Sequence, residues 1–473
     1  MVAHADISLM VCEDQEQVDK LLAAHGNLPR LAHIVVMETK GLRSFTREER
    51  AIISTFAEVE ALGRGAWEQG QQVDQALAGQ AMDDIGRMIY TSGSTGKPKG
   101  AMISWRNICG VAPGIVERLQ LTPATSHLSY LPLCHVAEQM LTTFVPVYLG
   151  TQVHFGESIR TVQEDLREVA PNMFLGVPRI WEKMHASLSI KRLETGRWQR
   201  ALMDRAMAAC APLADQPRAQ WSVSERLTYG LWYWLVLRAL QNFLGIPLVE
   251  VYGLTESTGM VLGHRLDQVI PGTVGEPIAG VQWRLADNGE LQIRGDMVFA
   301  GYYKNSEATA ATLQVGWLRT CDVVRQEQGQ LKIVDRLKDI MITAGGKNLT
   351  PSEIENTMKA SPYIKECVIV AEGRKFVAAL VMVDAGTVGQ WAQLRRIPFT
   401  HLRSLAEEPQ VLALIDGEIV RGNQRLAQVS QNRKFHWLTK ELDHEDGEVT
   451  ATMKVRRASI YQAYSTAIEA LYR

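Results

Sequence analysis

The sequence predicts an α/β protein of two domains, and three observations carry that expectation. Strand-like and helix-like stretches alternate from the start of the chain, a glycine-rich loop follows one strand directly, and the composition changes character in the last third. The 473 residues are 46% hydrophobic and 22% charged, enough chain and enough apolar content for two or three well-buried cores.

The alternation begins with Ile7–Val11 and His33–Glu38, which read as strands around a helix from Gln15 to Gly26. Thr46 suits an N-cap, with Glu48 and Glu49 in the first turn of a helix expected to run through Phe56. Gln71–Met82 reads as helix and leads to the strand Gly86–Tyr90. Between Ser104 and Gly301, short apolar strands such as His127–Leu133 and Gln152–Gly156 alternate with helical stretches such as Ile159–Val169. Beyond them come the strands Lys365–Glu372 and Lys375–Val383 and a polar helical region, Val411–Leu426. The charged run Asp335–Asp339 separates the two compositions, so the expected division is 1–335, a joint at 336–338, and 339–473.

Composition also excludes functions. Fifty basic residues face 52 acidic ones, a net charge of -2, so no basic face is expected to bind nucleic acid. The six cysteines stand singly, without a CxxC pair or zinc-ligand spacing, and read as reduced thiols of a cytosolic protein. No signal peptide is read at the start, where the apolar run Ile7–Val11 is short and in acidic company. The longest apolar run, Leu227–Leu240, contains Arg238 and falls short of the roughly 20 residues that span a bilayer. That excludes a transmembrane anchor and leaves peripheral contact with the inner membrane surface open. Its aromatic part, Leu231–Phe243 with Trp232, Tyr233 and Trp234, is expected in the core rather than at a surface.

The sharpest chemical feature is Thr91-Ser92-Gly93-Ser94-Thr95-Gly96-Lys97-Pro98-Lys99-Gly100, directly after a strand. Glycines let backbone N–H groups turn towards an anion, hydroxyls add donors, and lysines add charge. The spacing is not that of the GxxxxGK[ST] phosphate loop. A lone glycine-rich string is more often a solvated turn.

This string, with Tyr252–Ser257 (YGLTES), Gly316–Asp322 (GWLRTCD) and Asp335–Glu355 following in order, resembles the signatures of the adenylate-forming, AMP-binding superfamily. Leu128–Gln139 and Val177–Met184 resemble segments of its long-chain acyl-CoA synthetases. The resemblance implies a large multi-sheet N-terminal domain and a small mobile α+β C-terminal domain. It also implies ATP-dependent activation of a long-chain fatty acid to an acyl-adenylate, then transfer to coenzyme A, with magnesium as cofactor. The other readings are a non-catalytic acyl- or nucleotide-binding relative and a ligase for another carboxylic acid.

Roles follow from the resemblance residue by residue. Thr91 and Glu256 are marked as magnesium contacts; Ser92, Gly93, Ser94, Thr95, Gly96, Lys97 and Thr255 hold phosphates; Tyr252 and Gly253 belong to the second signature. Asp322 and Arg336 grip the ribose, and Lys454 reaches the carboxylate and α-phosphate. Lys338 is the hinge, Gly345, Gly346 and Lys347 line the coenzyme A passage, and His135 and Val177 border the acyl pocket. Three departures stand out. Cys321 replaces the usual glycine before the aspartate, at a turn where positive φ is expected. The family carries on the order of a hundred more residues before the loop, so the large domain reads as shortened at its N-terminus. No glycine-rich adenine-binding segment lies between Arg179 and Glu250, so one wall of the adenine site and a central strand are expected to be missing.

Overall fold

The computed structural model describes residues 1–42, 45–67, 72–91, 98–158, 161–214, 221–237, 249–443, 446–449 and 455–473. It is a mixed α/β chain in two compact units, Met1–Ile108 with Phe299–Ala311, and Cys109–Val298 with Thr312–Arg473.

In the first unit, the strands Leu9–Cys12, His33–Val36 and Ile53–Thr55 form a parallel sheet in sequence order. The helix Gln15–Ala24 starts at Asp14, whose side chain accepts from the Gln17 N–H at 3.1 Å. Its Val18 and Leu21, three apart, share one face and bury against Cys12, Ile34 and Val36. Thr46 caps as expected, in a reciprocal capping box with Glu49. The helix does not run through Phe56, however. It ends at Arg50, and Ile53–Thr55 is drawn into the parallel sheet beside His33–Val36 before a second helix starts at Phe56. The β-branched Ile52, Ile53 and Thr55 suit a pleated, half-buried surface better than a helix. The helix read over Gln71–Met82 likewise closes at Ala78, where Gly79 follows.

A second sheet of this unit is antiparallel. Ile85–Thr91 pairs with Lys99–Ser104, which pairs in turn with Gly301–Tyr302. The register sets Thr91 opposite Lys99, so the glycine-rich loop is the connection of a β-hairpin.

The second unit contains several small sheets. Ser126–Ser129 runs parallel to Gln152–Phe155 and bridges Met173 on its other side through His127. Val251–Leu254, Gly259–Gly263 and Glu276–Pro277 form an antiparallel sheet, and Trp317–Glu327 is flanked by Glu290–Arg294 and Gln330–Arg336 in another. In the C-terminal sheet, Val377–Val383 lies between Ile364–Val370 and Asn432–Trp437. All of Val377–Val383 is buried, because helices cover both faces. Cys367 and Ile369 face the helices Pro351–Lys359 and Pro409–Asn423, whereas the alternate residues Val368 and Val370 face Ile460 and Ile468.

The helix Pro178–Glu194 joins this last core. Leu193 packs against it, and Arg179 reaches the nearly buried Glu366 at 2.9 Å. Lys359 approaches the same carboxylate at 3.4 Å and Glu182 at 3.7 Å.

The expectation that Leu231–Phe243 fills the core is overturned for its described part. Leu231, Trp234 and Leu235 are 58%, 68% and 57% exposed. Apolar composition does not say which way a segment faces. Phe243 lies outside the described residues.

Candidate functional site

The most complete part of the site is built where three motifs meet. Asp322 and Arg336 stand directly opposite each other on adjacent antiparallel strands, and Arg336 Nε lies 3.4 Å from Asp322 Oδ1. Tyr252 donates its hydroxyl to Asp322 Oδ2 at 2.5 Å. Burial, and then the Asp322 charge, pushes the phenol far above its usual pKa, so Tyr252 stays a donor. Asp322 is 4% exposed, whereas the Arg336 side chain is half open to solvent. The arrangement offers a fixed carboxylate and a cation to a ligand with paired hydroxyls.

Cys321 sits at a bulge in the strand Trp317–Glu327, directly before Asp322. Its φ is +58°, so the cysteine keeps the left-handed conformation that a glycine would adopt freely. Glu290, 1% exposed, secures it by accepting from the Cys321 N–H at 3.0 Å and from Arg319 Nε and Nη2. Burial, with the Glu290 charge adding to it, pushes the Cys321 thiol up and keeps it neutral. Left-handed backbone costs a non-glycine residue roughly 1–2 kcal/mol, part of which glycine loses again to chain entropy. Cys321→Gly should therefore stabilise the protein by roughly 0.5–1 kcal/mol in urea unfolding. A destabilised variant would show that packing of the thiol outweighs the strain.

The segment YGLTES forms the strand Val251–Leu254 and the short turn Thr255–Ser257. Ser257 is fully buried, and its hydroxyl accepts from the Leu254 N–H at 2.9 Å while facing the Leu254 and Gly259 carbonyls. Thr258, at φ +57°, donates to the Met297 carbonyl at 2.8 Å. These two hydroxyls position Thr255 and Glu256. At the other end of the strand, buried His264 accepts from the Glu250 N–H through Nδ1 and meets Thr273 Oγ1 through Nε2. Desolvation lowers its pKa and keeps the ring neutral, as that pattern requires. Among the described residues the strand is paired with Gly259–Gly263 alone.

Thr91 is half-buried at the end of its strand in the first unit, and Lys99 Nζ lies 5.0 Å from the centre of the Tyr302 ring. Ser92, Gly93, Ser94, Thr95, Gly96 and Lys97 lie outside the described residues, as does Lys454. Next to Lys454, Val455 bridges Val449, and Arg457 donates to Glu355 at 2.7 Å and to the Ile369 carbonyl.

Lys338 is exposed in a turn in which the Asp339 and Ile340 N–H groups both donate to the Arg336 carbonyl. Buried Asp335 fastens the start of that turn by accepting from the Ser352 N–H and hydroxyl. Gly345, Gly346 and Lys347 form a hairpin tip with Gly346 at φ +73°, and a side chain there would meet nothing within 4 Å.

His135 and Val177 are both N-cap residues. His135 Nδ1 accepts from the Ala137 N–H at 3.2 Å, and Val177 opens the helix Pro178–Glu194. The Tyr130 hydroxyl, which donates to the Leu175 carbonyl, accepts from the Val177 N–H, and Tyr130 stacks on Phe174. Desolvation raises the buried Glu138, but its polar neighbours His127, Ser129 and Thr142, the last donating to it at 2.6 Å, outweigh that and hold the carboxyl below its usual value. Its Oε2 accepts from the Leu131 N–H at 3.3 Å, which ties the loop leading to His135.

Sequence reading missed Glu290, Ser257, Glu138 and His264. Ser257 and Glu138 stood inside motifs without a role. Glu290 and His264 act across gaps in sequence that local pattern does not span.

The sequence model of the AMP-binding enzyme family matches residues 1–303, and that of the AMP-binding enzyme C-terminal domain matches residues 338–473. The chain belongs to the AMP-binding enzyme family. This AMP-binding enzyme is 33% identical over 423 residues to fadD11 of Mycobacterium tuberculosis strain H37Rv, covering 82% of this chain and 74% of that one. It is 30% identical over 438 residues to the long-chain-fatty-acid–CoA ligase FadD15 of the same strain, covering 86% and 73%. Its alignment with the long-chain-fatty-acid–CoA ligase ACSBG2 of Xenopus laevis, at 26% identity, runs over 528 positions and covers 99% of this chain and 70% of that one. Since 528 exceeds 473 by 55, at least 55 of those positions have no counterpart in this AMP-binding enzyme. Among solved structures, the anthranilate CoA ligase AuaEII bound to anthranoyl-AMP shares its fold, with a TM-score of 0.66 at 18% identity over 99% of this chain and 80% of that one. The adenylation domain of a carboxylate reductase from Mycobacterium chelonae does so too, with a TM-score of 0.68 at 20% identity over 99% and 73%.

Proposed function

We propose that this AMP-binding enzyme activates a long-chain fatty acid with ATP and passes the acyl group to coenzyme A, releasing AMP and pyrophosphate. The observation that carries the reading is the Tyr252–Asp322–Arg336 constellation, which joins the second, third and fourth signatures through a hydrogen bond and an ion pair. The names of the relatives support the substrate class. Asp322 accepts the two ribose hydroxyls while Tyr252 and Arg336 fix its carboxylate. Thr255 and the loop from Thr91 to Lys97 donate to phosphates, and Lys454 neutralises the approach of carboxylate to α-phosphate. Thr91 and Glu256 supply hard oxygen donors of the kind magnesium takes beside phosphate oxygens, and the ion would screen the phosphate charge. His135 and Val177 border the acyl chain.

The domains are 1–335 and 339–473, with 336–338 as the hinge and Gly345, Gly346 and Lys347 lining the thiol's passage after rotation. Proline at 338 would fix φ in the joint, so Lys338→Pro should slow thioester formation at least about tenfold more than pyrophosphate release. Equal loss of both half-reactions would remove the hinge role.

The lack of a glycine-rich adenine-binding segment between Arg179 and Glu250 favours a second reading, a relative that binds an acyl or nucleotide ligand without turnover. The deciding measurement is pyrophosphate release from ATP and magnesium with palmitate, followed by addition of coenzyme A. Palmitate-dependent release and thioester formation carry the first reading. A folded chain that binds palmitate or AMP and releases nothing carries the second, and release with only short or aromatic acids would assign another carboxylic acid.

A further inference from the structure

The helices Arg197–Ala214 and Val223–Trp232 pack side by side, pinned by the Trp221 indole N–H donating to the Leu213 carbonyl at 3.2 Å. On the second helix and the turn that continues it, Val223, Leu227, Leu231, Trp234 and Leu235 fall on one stripe by three- and four-residue spacing. They are 75%, 69%, 58%, 68% and 57% exposed. The neighbouring helix adds Trp198 at 90% and Leu202 at 41%. A stripe of this kind normally faces a core, and here nothing among the described residues covers it.

The charge around it is one-sided. Between Lys191 and Arg238 there are eight basic residues against four acidic ones, in a chain whose net charge is -2. Both acidic residues of the two helices are already engaged, Asp204 with Arg192 at 2.6 Å and Glu225 in a capping box with Ser222. Arg197, Arg205 and Arg226 make no ion pair or side-chain hydrogen bond among the described residues. Arg205 lies one turn from Leu202, and Arg226 lies three residues past Val223, at the border of the stripe.

We propose that this helical hairpin docks the protein on an anionic lipid bilayer, with the Val223–Leu235 stripe entering the interface and the three arginines meeting the headgroups. Exposed aromatic and aliphatic side chains bordered by unpaired arginine are the composition of interfacial helices. A second copy of the chain suits the stripe less well, because pairing would bring two sets of uncompensated arginines together. Lipid binding needs no turnover, so its test stands apart from the ligase reading.

The experiment is co-sedimentation of the full chain with phosphatidylcholine vesicles, with and without phosphatidylglycerol, at low and high salt. The expected result is binding to the anionic vesicles that weakens with salt. It should fall about tenfold or more in Leu227→Gln/Leu231→Gln and in Arg197→Glu/Arg226→Glu. Both pairs alter exposed positions, and an unchanged melting temperature confirms that the fold is kept. The proposal is overturned if the wild-type chain stays in the supernatant or if the leucine variant binds as the wild type does. Self-association lost in the leucine variant, without vesicle binding, would assign the stripe to a second copy.

Discussion

Lys454→Ala is expected to lower palmitate-dependent pyrophosphate release by about 10²–10³-fold with little change in thermal stability. The reaction drives a carboxylate onto a phosphate, two anions whose mutual repulsion at about 4 Å reaches several kcal/mol in a poorly solvated site. A cation placed between them acts mainly in the transition state, so its loss should appear in kcat more than in KM. Arg457, tied to Glu355 and to the Ile369 carbonyl, anchors the chain three residues beyond the lysine and remains in place in the variant. Lys454→Arg, which keeps the charge but not the shape, should fall between the two. A variant within a few-fold of wild type in single-turnover assays would take the lysine out of the chemistry.

Gly253→Ala should destabilise the protein by roughly 3 kcal/mol or more, at or beyond the usual upper range for overpacking. A Cβ at this position would sit 1.8 Å from the Gly259 carbonyl oxygen, 2.4 Å from its carbon and 2.8 Å from the Met260 Cα. All three are backbone atoms, so no side chain can swing aside, and the two strands would have to part. Gly259–Gly263 is the only strand paired with Val251–Leu254 among the described residues, so their separation would release Tyr252, Thr255 and Glu256 together. Scanning calorimetry should show a lowered transition, and nucleotide binding should be lost at temperatures where the chain is still folded. A change in stability of about 0.5 kcal/mol or less, the scale of an ordinary surface substitution, would mean that the strands can separate cheaply.

Local signals were legible where the chain answers only to itself. The Thr46 N-cap needs only the residues beside it and was read correctly, whereas the end of its helix was not. Ile53–Thr55 becomes a strand through pairing with His33–Val36, a partner that local propensity does not contain. The motifs located Asp322, Arg336 and Tyr252. They did not say that Tyr252 would hold Asp322, nor that Glu290 would secure the strained Cys321, because both contacts are made by the fold. The stripe from Val223 to Leu235 shows the same limit from the other side. Its apolar character was visible as a run, and its direction depends on what the rest of the chain offers as cover.

The ion pair between Arg179 and Glu366 bears on timing. Lys359 lies in the helix just before the strand of Glu366 and would travel with it, whereas Arg179 belongs to the helix Pro178–Glu194. Rotation about Lys338 would either carry that helix along or strip one cation from a carboxylate with little access to water. A charge-assisted hydrogen bond of this kind is worth about 1.5–3 kcal/mol, equivalent to roughly one to two decades in rate. If the helix stays behind, the parting of this contact would add to the barrier between activating an acid and handing it to a thiol.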